Sequence, residues 1–316
     1  MPTHVAILDD YQRVALSLAD WGSLGAAVSL QPFHDRLRED EIAERLQLFD
    51  VIVAMRERTP FPGSLLARLP SLRLLVTTGR RNAAIDVAAA SARGIIVSGT
   101  STLAAPPVEL TWGLILALAR HIPREAEAMR HGAWQNTVGV SLHGKTLGVI
   151  GLGRLGSEVA RIGQAFGMKV TAWSQNLTRE KTDAVGAELV DKDTLFQRSD
   201  VVSVHLVLSD RTRGIVGAHE LAMMKRSALL INTARGPIVD EQALIDALRR
   251  GAIAGAALDV FDEEPLPPDH LFRQLENVVL TPHLGYVTAD NYRLAYGEAV
   301  EDIRAFLNGS PVRVIA

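Results

Sequence analysis

The segment 147–166, LGVIGLGRLGSEVARIGQAF, restricts the fold of this chain more than any other. Leu147, Val149 and Ile150 read as a buried strand, and Gly151, Gly153 and Gly156 spell GxGxxG directly after it. Leu155, Val159, Ile162 and Phe166 then recur at helical spacing, so the glycines lie where a strand turns into a helix. Gly151 would permit the tight turn, Gly153 would let a ligand approach the backbone, and Gly156 would let helix and strand pack closely. Arg154 and Leu155 fall in the first helical turn, where free N–H groups and the helix dipole favour an anion. A glycine-rich structural turn is the plainer reading of the three glycines. The strand before them and the amphipathic helix after them favour a dinucleotide pyrophosphate.

The rest of the chain fits a cofactor-binding enzyme. Its 316 residues exceed one ordinary domain and point to two, and 47% hydrophobic content supports a sizeable core in each. A net charge of −3 argues against nucleic acid as a partner. With no cysteine, disulfides, thiolate catalysis and cysteine-ligated metals are excluded, and a reducing cytoplasm is the expected setting. No metal site is expected. The opening MPTHVAILDD lacks the pattern of a signal peptide, and the longest apolar run, LTWGLILALA at 110–119, falls short of the ~20 residues that cross a bilayer. No membrane association is expected.

In order, the chain predicts strands at 4–8, 46–54, 72–77 and 94–98, with helices at 14–21 and 84–92. This alternation implies a parallel sheet covered on both faces. Small residues and proline at 100–107 read as a linker. The helix predicted at 108–120 is apolar nearly all round, as expected of one buried between domains or subunits. Residues 121–140 read as an irregular arm. A second α/β region follows, with strands at 147–150, 169–173, 188–190, 201–208, 228–233, 255–260 and 277–282 and helices between them. It matches the doubly wound sheet that binds dinucleotides. A last helix spans about 288–307.

In such sheets ligands bind beyond the carboxyl ends of the strands. There the chain presents Arg235 after ALLINT, the carboxylates Asp262, Glu263 and Glu264 after GAALDV, and His283 after NVVLTP. Arginine offers a planar fork for a bidentate grip on a carboxylate. Histidine can take the proton from a substrate hydroxyl, or return it, as hydride moves to or from nicotinamide. A carboxylate on its other ring nitrogen would fix the tautomer. Singly, each residue also reads as a solvated or structural side chain; together they imply interconversion of a 2-hydroxy acid and a 2-oxo acid.

GLGRLG at 151–156, INTARG at 231–236, LDVFDEEP at 258–265 and TPHLG at 281–285 resemble, in order and spacing, the motifs of the D-isomer-specific 2-hydroxyacid dehydrogenase family, over essentially the whole chain. The resemblance implies that Arg235 holds the substrate carboxylate, that Glu264, the glutamate immediately before the proline, pairs with His283, and that His283 is the acid/base. It places Thr233 and Asp259 at the nicotinamide carboxamide and HLVLSDRT, ending at Thr212, along the adenine. It also implies NAD or NADP as cofactor, a homodimer, and an α/β architecture of two doubly wound domains. These would be a Rossmann dinucleotide-binding domain at 101–286 and a flavodoxin-like substrate domain at 1–100 and 287–316, with hinges near 98–102 and 285–288.

Three positions depart from the family pattern. The acidic residue that grips the adenosine ribose should end the second strand, about 20 residues past the glycines; Ser174 stands there. Serine would not repel a 2′-phosphate, so a relaxed or NADP-leaning preference is expected, with Arg179 and Lys181 as phosphate partners. In TTGRRNAAID, Gly79 is kept, but Arg81 replaces a second glycine and Arg80 sits beside it. Either arginine could select a substrate with a second anionic group, or simply reach solvent. Tyr286 replaces a frequent glycine next to the TPHLG motif. Two rival functions use the same fold: a nicotinamide-sensing regulatory protein, which needs no acid/base pair, and formate oxidation, for which the resemblance implies glutamine rather than Glu264.

Overall fold

The computed structural model of the chain describes residues 2–38 and 40–315, which divide into two compact units, Met1–Leu103 with Val287–Ala316, and Ala104–Tyr286. In the first unit the elements run β1 (Thr3–Ile7), β2 (Val28–Pro32), α1 (Ile42–Leu46), β3 (Val51–Ala54), α2 (Gly63–Leu66), β4 (Leu74–Thr77), α3 (Val87–Ala92) and β5 (Ile96–Gly99). Its five parallel strands lie in the order β2-β1-β3-β4-β5, the flavodoxin-like arrangement.

The second unit runs α4 (Ala105–Ala119), α5 (Ile122–Arg130), β6 (Thr146–Ile150), α6 (Arg154–Ala165), β7 (Lys169–Trp173), α7 (Arg179–Asp183), β8 (Glu188–Leu189), α8 (Lys192–Arg198), β9 (Val201–Val204), α9 (Ala218–Met223), β10 (Leu229–Asn232), α10 (Glu241–Arg249), β11 (Gly255–Leu258) and β12 (Val278–Leu280). Its seven strands are parallel, in the order β12-β11-β10-β9-β6-β7-β8. This is the Rossmann order 3-2-1-4-5-6 with one strand added at the far edge. The chain then returns to the first unit as α11 (Ala289–Leu307), which packs on β4.

Burial on both faces explains why these strands read as unbroken apolar runs rather than alternating ones. In β10, Leu230 belongs to one core with Val202, Leu244, Leu248 and Leu258. Its neighbours Leu229 and Ile231 belong to another, with Trp112, Ile115, Leu118 and Val159. Fully burying such side chains is worth roughly 1.5–3 kcal/mol each. Asp86, Asp191, Asp240 and Thr288 accept N–H bonds at the starts of α3, α8, α10 and α11. Each such cap adds about 1 kcal/mol.

The structure corrects the sequence reading at four places. Residues 14–21 form only 3₁₀ turns, because the Trp21 indole N–H takes the Ala15 carbonyl that an α-helix would use and Arg13 adopts a left-handed φ of 58°. The sequence reading had no strand at 28–32, and it began the strand expected at 46–54 on Leu46, which ends α1. Helix α4 is buried within its own unit, against α6 and the strands β10, β11 and β12. The arm is not wholly irregular, since Ile122–Arg130 is the helix α5, with no buried residue. Among the described residues no helix is long and apolar enough to cross a membrane.

Candidate active site

The turn after β6 has the geometry its glycines imply. Gly151 has φ +95°, and a Cβ there would lie 2.8 Å from the carbonyl oxygen of His205. At Gly156 a Cβ would lie 2.1 Å from the Gly151 oxygen, so only glycine lets α6 start this close to the strand. A Cβ on Gly153, which caps α6, would meet nothing within 4 Å. The cradle is thus tight on its protein side and open on its outer side, with the first N–H groups of α6, including those of Arg154 and Leu155, at its mouth. These residues fit a dinucleotide pyrophosphate.

Beyond β10 the chain turns sharply. The buried Asn232 side chain donates to the Arg235 carbonyl at 2.9 Å and accepts from Ala234 N–H at 3.1 Å. Arg235 is extended, and one of its guanidinium nitrogens donates to the Ala234 carbonyl at 2.8 Å. Gly236 permits the next step, because a Cβ there would lie 2.1 Å from the Phe261 carbonyl carbon. Before the turn, the Thr111 hydroxyl donates to the Pro107 carbonyl and lies 2.8 Å from the Thr233 hydroxyl. Its one proton being spent, it accepts from Thr233.

Glu264 and His283 meet beyond β11 and β12. His283 Nδ1–H donates to Glu264 Oε2 at 2.6 Å, while Glu264 Oε1 accepts from Phe261 N–H at 3.0 Å. Burial raises the Glu264 pKa, but the bond and charge of His283, the Phe261 N–H and the charge of Arg235 together hold it below the ordinary value. Glu264 is therefore held as the carboxylate, and this bond uses only Nδ1 of the His283 ring. The Tyr286 ring stands edge-on to the imidazole, with centroids 5.3 Å apart.

His283 has a left-handed φ of 53°, uncommon for a residue with a side chain. Asp259 holds the loop in that shape. Its Oδ1 accepts from the Thr281 hydroxyl at 2.6 Å and Leu284 N–H at 2.7 Å, and its Oδ2 accepts from Gly285 N–H at 2.9 Å. Burial pushes the Asp259 pKa up, while these donors and the charge of His283 oppose it.

The other sequence-selected residues fall in two places. Ser174 is half-buried at the end of β7, and Arg179 and Lys181 are exposed on α7. Thr212 closes its own loop, donating to the Val207 carbonyl at 2.7 Å and accepting from Ser209 N–H at 2.8 Å. In the first unit Gly79 is buried while Arg80 and Arg81 are exposed. The guanidinium packed on Gly79 belongs to Arg56, whose Nη1 would lie 2.3 Å from a Cβ there. Arg56, Thr111, Asn232 and Thr281 were not singled out from sequence. Thr281 and Asn232 could have been, since they lie inside TPHLG and INTARG; Arg56 and Thr111 act through Thr78 and Thr233, distant in sequence. Among the described residues no cluster of three or more His, Cys, Asp or Glu side chains could hold a metal.

Comparison with known proteins identifies the family. Residues 112–285 match the NAD binding domain of the D-isomer specific 2-hydroxyacid dehydrogenases. The chain is 43% identical over 255 residues to a glyoxylate reductase from Aeropyrum pernix, covering 78% of this chain and 76% of that protein. It is 39% identical to a D-3-phosphoglycerate dehydrogenase from Methanocaldococcus jannaschii over 86% of this chain, but spans only 52% of that longer protein. A crystal structure of a phosphoglycerate oxidoreductase from Vibrio cholerae superposes with a TM-score of 0.93 at 36% identity, covering 98% of this chain and all of that one. The chain therefore belongs to the D-isomer-specific 2-hydroxyacid dehydrogenase family, nicotinamide-dependent oxidoreductases that act on the CH–OH group of 2-hydroxy acids.

Proposed function

We propose that this protein reduces a small 2-oxo acid to the D-2-hydroxy acid, and catalyses the reverse, with Arg235, Glu264 and His283 carrying the chemistry. The observation that carries the assignment is the 2.6 Å bond between His283 Nδ1 and Glu264. Bound nicotinamide supplies or accepts the hydride. Arg235 grips the substrate carboxylate and polarises the adjacent carbonyl. In reduction, His283 Nε2–H donates its proton to the oxygen that becomes the hydroxyl; in oxidation, neutral Nε2 removes it. Glu264, held ionised, stabilises the imidazolium and orients the ring. Asp259 keeps the His283 loop in its left-handed shape, and with Thr233 it lies where the nicotinamide carboxamide would sit.

The contiguous unit Ala104–Tyr286 serves as the dinucleotide domain and the discontinuous unit as the substrate domain, where Gly79, Arg80 and Arg81 meet the substrate. Ser174, in place of a ribose-binding carboxylate, leaves NADP open beside NAD, and Thr212 shapes the loop along the adenine. The names of the relatives point to glyoxylate, hydroxypyruvate or 3-phosphoglycerate chemistry. The arm is the dimer contact, since Ile122, Met129, Trp134 and Val138 are exposed by 51, 53, 72 and 92%. A cytoplasmic setting accords with the absence of cysteine.

The test is a panel of 2-oxo acids of differing charge and size with NADH and with NADPH. Turnover of at least one, giving the D-product and depending on His283, is expected. Cofactor binding without turnover of any would overturn the reading in favour of a sensor.

A further inference from the structure

Ser174 and Gln175 end β7 and line an open groove of about 530 Å³, together with Trp173, Glu188, Asp191 and Arg198. The charges facing this groove are nearly all matched. Glu188 forms a two-pronged ion pair with Arg198 at 2.8 Å on both oxygens. Asp191 is spent on the start of α8, accepting from Thr194 N–H and hydroxyl. One cation bonded to the groove residue Gln175 has no carboxylate partner among the described residues. Arg211, from the loop after β9, donates to Gln175 Oε1, and the Gln175 amide donates back to the Arg211 carbonyl at 3.5 Å. Among the described residues Arg211 forms no ion pair, and its side chain is exposed.

This reciprocal bond ties together two loops: the end of the strand that reads the adenosine ribose in this sheet order, and the 205–212 segment that borders the adenine. It also fixes a guanidinium to the residue adjoining Ser174. No hydrogen bond gives Arg179 or Lys181 a comparable tie to Ser174 or Gln175 among the described residues. A guanidinium offers a fork of donors suited to phosphate, and a neutral partner such as glutamine leaves its charge uncancelled.

We propose that Arg211, positioned by Gln175 beside Ser174, is the cation that recognises a phosphate on the adenosine 2′-oxygen and so decides how well the protein takes NADP relative to NAD. The proposal rests on the reading that Ser174 leaves NADP open. The serine supplies space without repulsion, and Arg211 supplies the attraction.

Binding of adenosine 2′,5′-bisphosphate and of 5′-AMP, measured by titration calorimetry on the intact protein, tests it without turnover. The wild type is expected to bind the bisphosphate at least as tightly as AMP. Arg211→Ala is expected to weaken the bisphosphate by about 10- to 100-fold, as for loss of a charge-assisted hydrogen bond, and to change AMP by less than about twofold. Gln175→Ala should weaken the bisphosphate less than Arg211→Ala does, and unchanged thermal melting would show that both variants fold. If the wild type prefers the bisphosphate and Arg211→Ala keeps that preference, the NADP reading stands and the role of Arg211 is overturned. If Arg211→Ala weakens both ligands equally, Arg211 braces the loop and the proposal fails. If the wild type itself strongly prefers AMP, the reading of Ser174 fails and takes the proposal with it.

Discussion

The carboxyl rims of the two parallel sheets use their polar side chains in opposite ways. In the first unit those that follow β1 and β3 are consumed by one another. Buried Asp9, with a left-handed φ of 57°, accepts from the Thr59 hydroxyl at 2.8 Å and the Tyr11 hydroxyl at 3.0 Å. Arg58 donates to the Asp9 carbonyl at 2.8 Å and lies over the Tyr11 ring at 4.6 Å. In the second unit, Glu264, Asp259 and Asn232 are equally committed, but their commitments orient Arg235 and His283, whose Nε2 is left for the substrate in the reaction we propose. A closed polar network stabilises a fold; one that ends on an uncommitted proton donor can do chemistry.

Substitutions can break this contrast. The largest effect is expected for His283→Gln, with kcat/KM falling by about 10²–10⁴-fold, the contribution typical of a general acid–base, at unchanged thermal stability. A matching loss of melting temperature would make His283 structural instead. Glu264→Gln is expected to cost about 10²-fold, at the lower end of that range. Without the neighbouring carboxylate the His283 ring loses the bond that orients it. The sign for folding is also fixed. The Glu264 pKa is lowered in the folded state, so its contribution is present above the unfolded value and lost as pH falls through the folded one. The wild type should lose this part of its stability in acid, and Glu264→Gln should not.

On the other rim, Thr59→Val removes a buried donor from Asp9 and should cost about 1–3 kcal/mol in unfolding free energy, seen as a lower urea midpoint, with kcat nearly unchanged. A large loss of kcat would show that this network also serves chemistry. Arg81→Ala is expected to have the smallest effect, a severalfold loss confined to dianionic substrates. An equal change on mono- and dianionic substrates would return Arg81 to solvent.

The same contrast explains what could be read from the sequence. Arg235, Glu264 and His283 each stand just past a strand, inside short motifs, and the β6 turn is spelled by three nearby glycines. Strands buried on both faces announce themselves as apolar runs. Other features depend on contacts the sequence does not display. The helix expected at 14–21 loses the Ala15 carbonyl to the Trp21 indole. The strand Val28–Pro32 is a half-exposed edge without a strong pattern. The helix α5 is only nine residues long and buries nothing, so its short stripe of Ile122, Ala126 and Met129 gives little signal. Thr111 meets Thr233 across 122 positions, and Thr281 meets Asp259 across 22. Nothing local links either pair.

The division of the first unit between distant segments bears on how the chain is made. Its fifth strand is completed late, when Ser98 donates to the Val312 carbonyl, Gly99 N–H to that of Arg313 and Ile315 N–H to that of Val97. These contacts span more than 200 positions, and pairings of such high contact order form slowly. The second unit is contiguous, so it can fold on the ribosome while residues 1–103 wait for 287–315 to emerge. Until then the β5 edge lacks these partners, and destabilising substitutions in this unit should reduce the yield of folded protein before they reduce its activity.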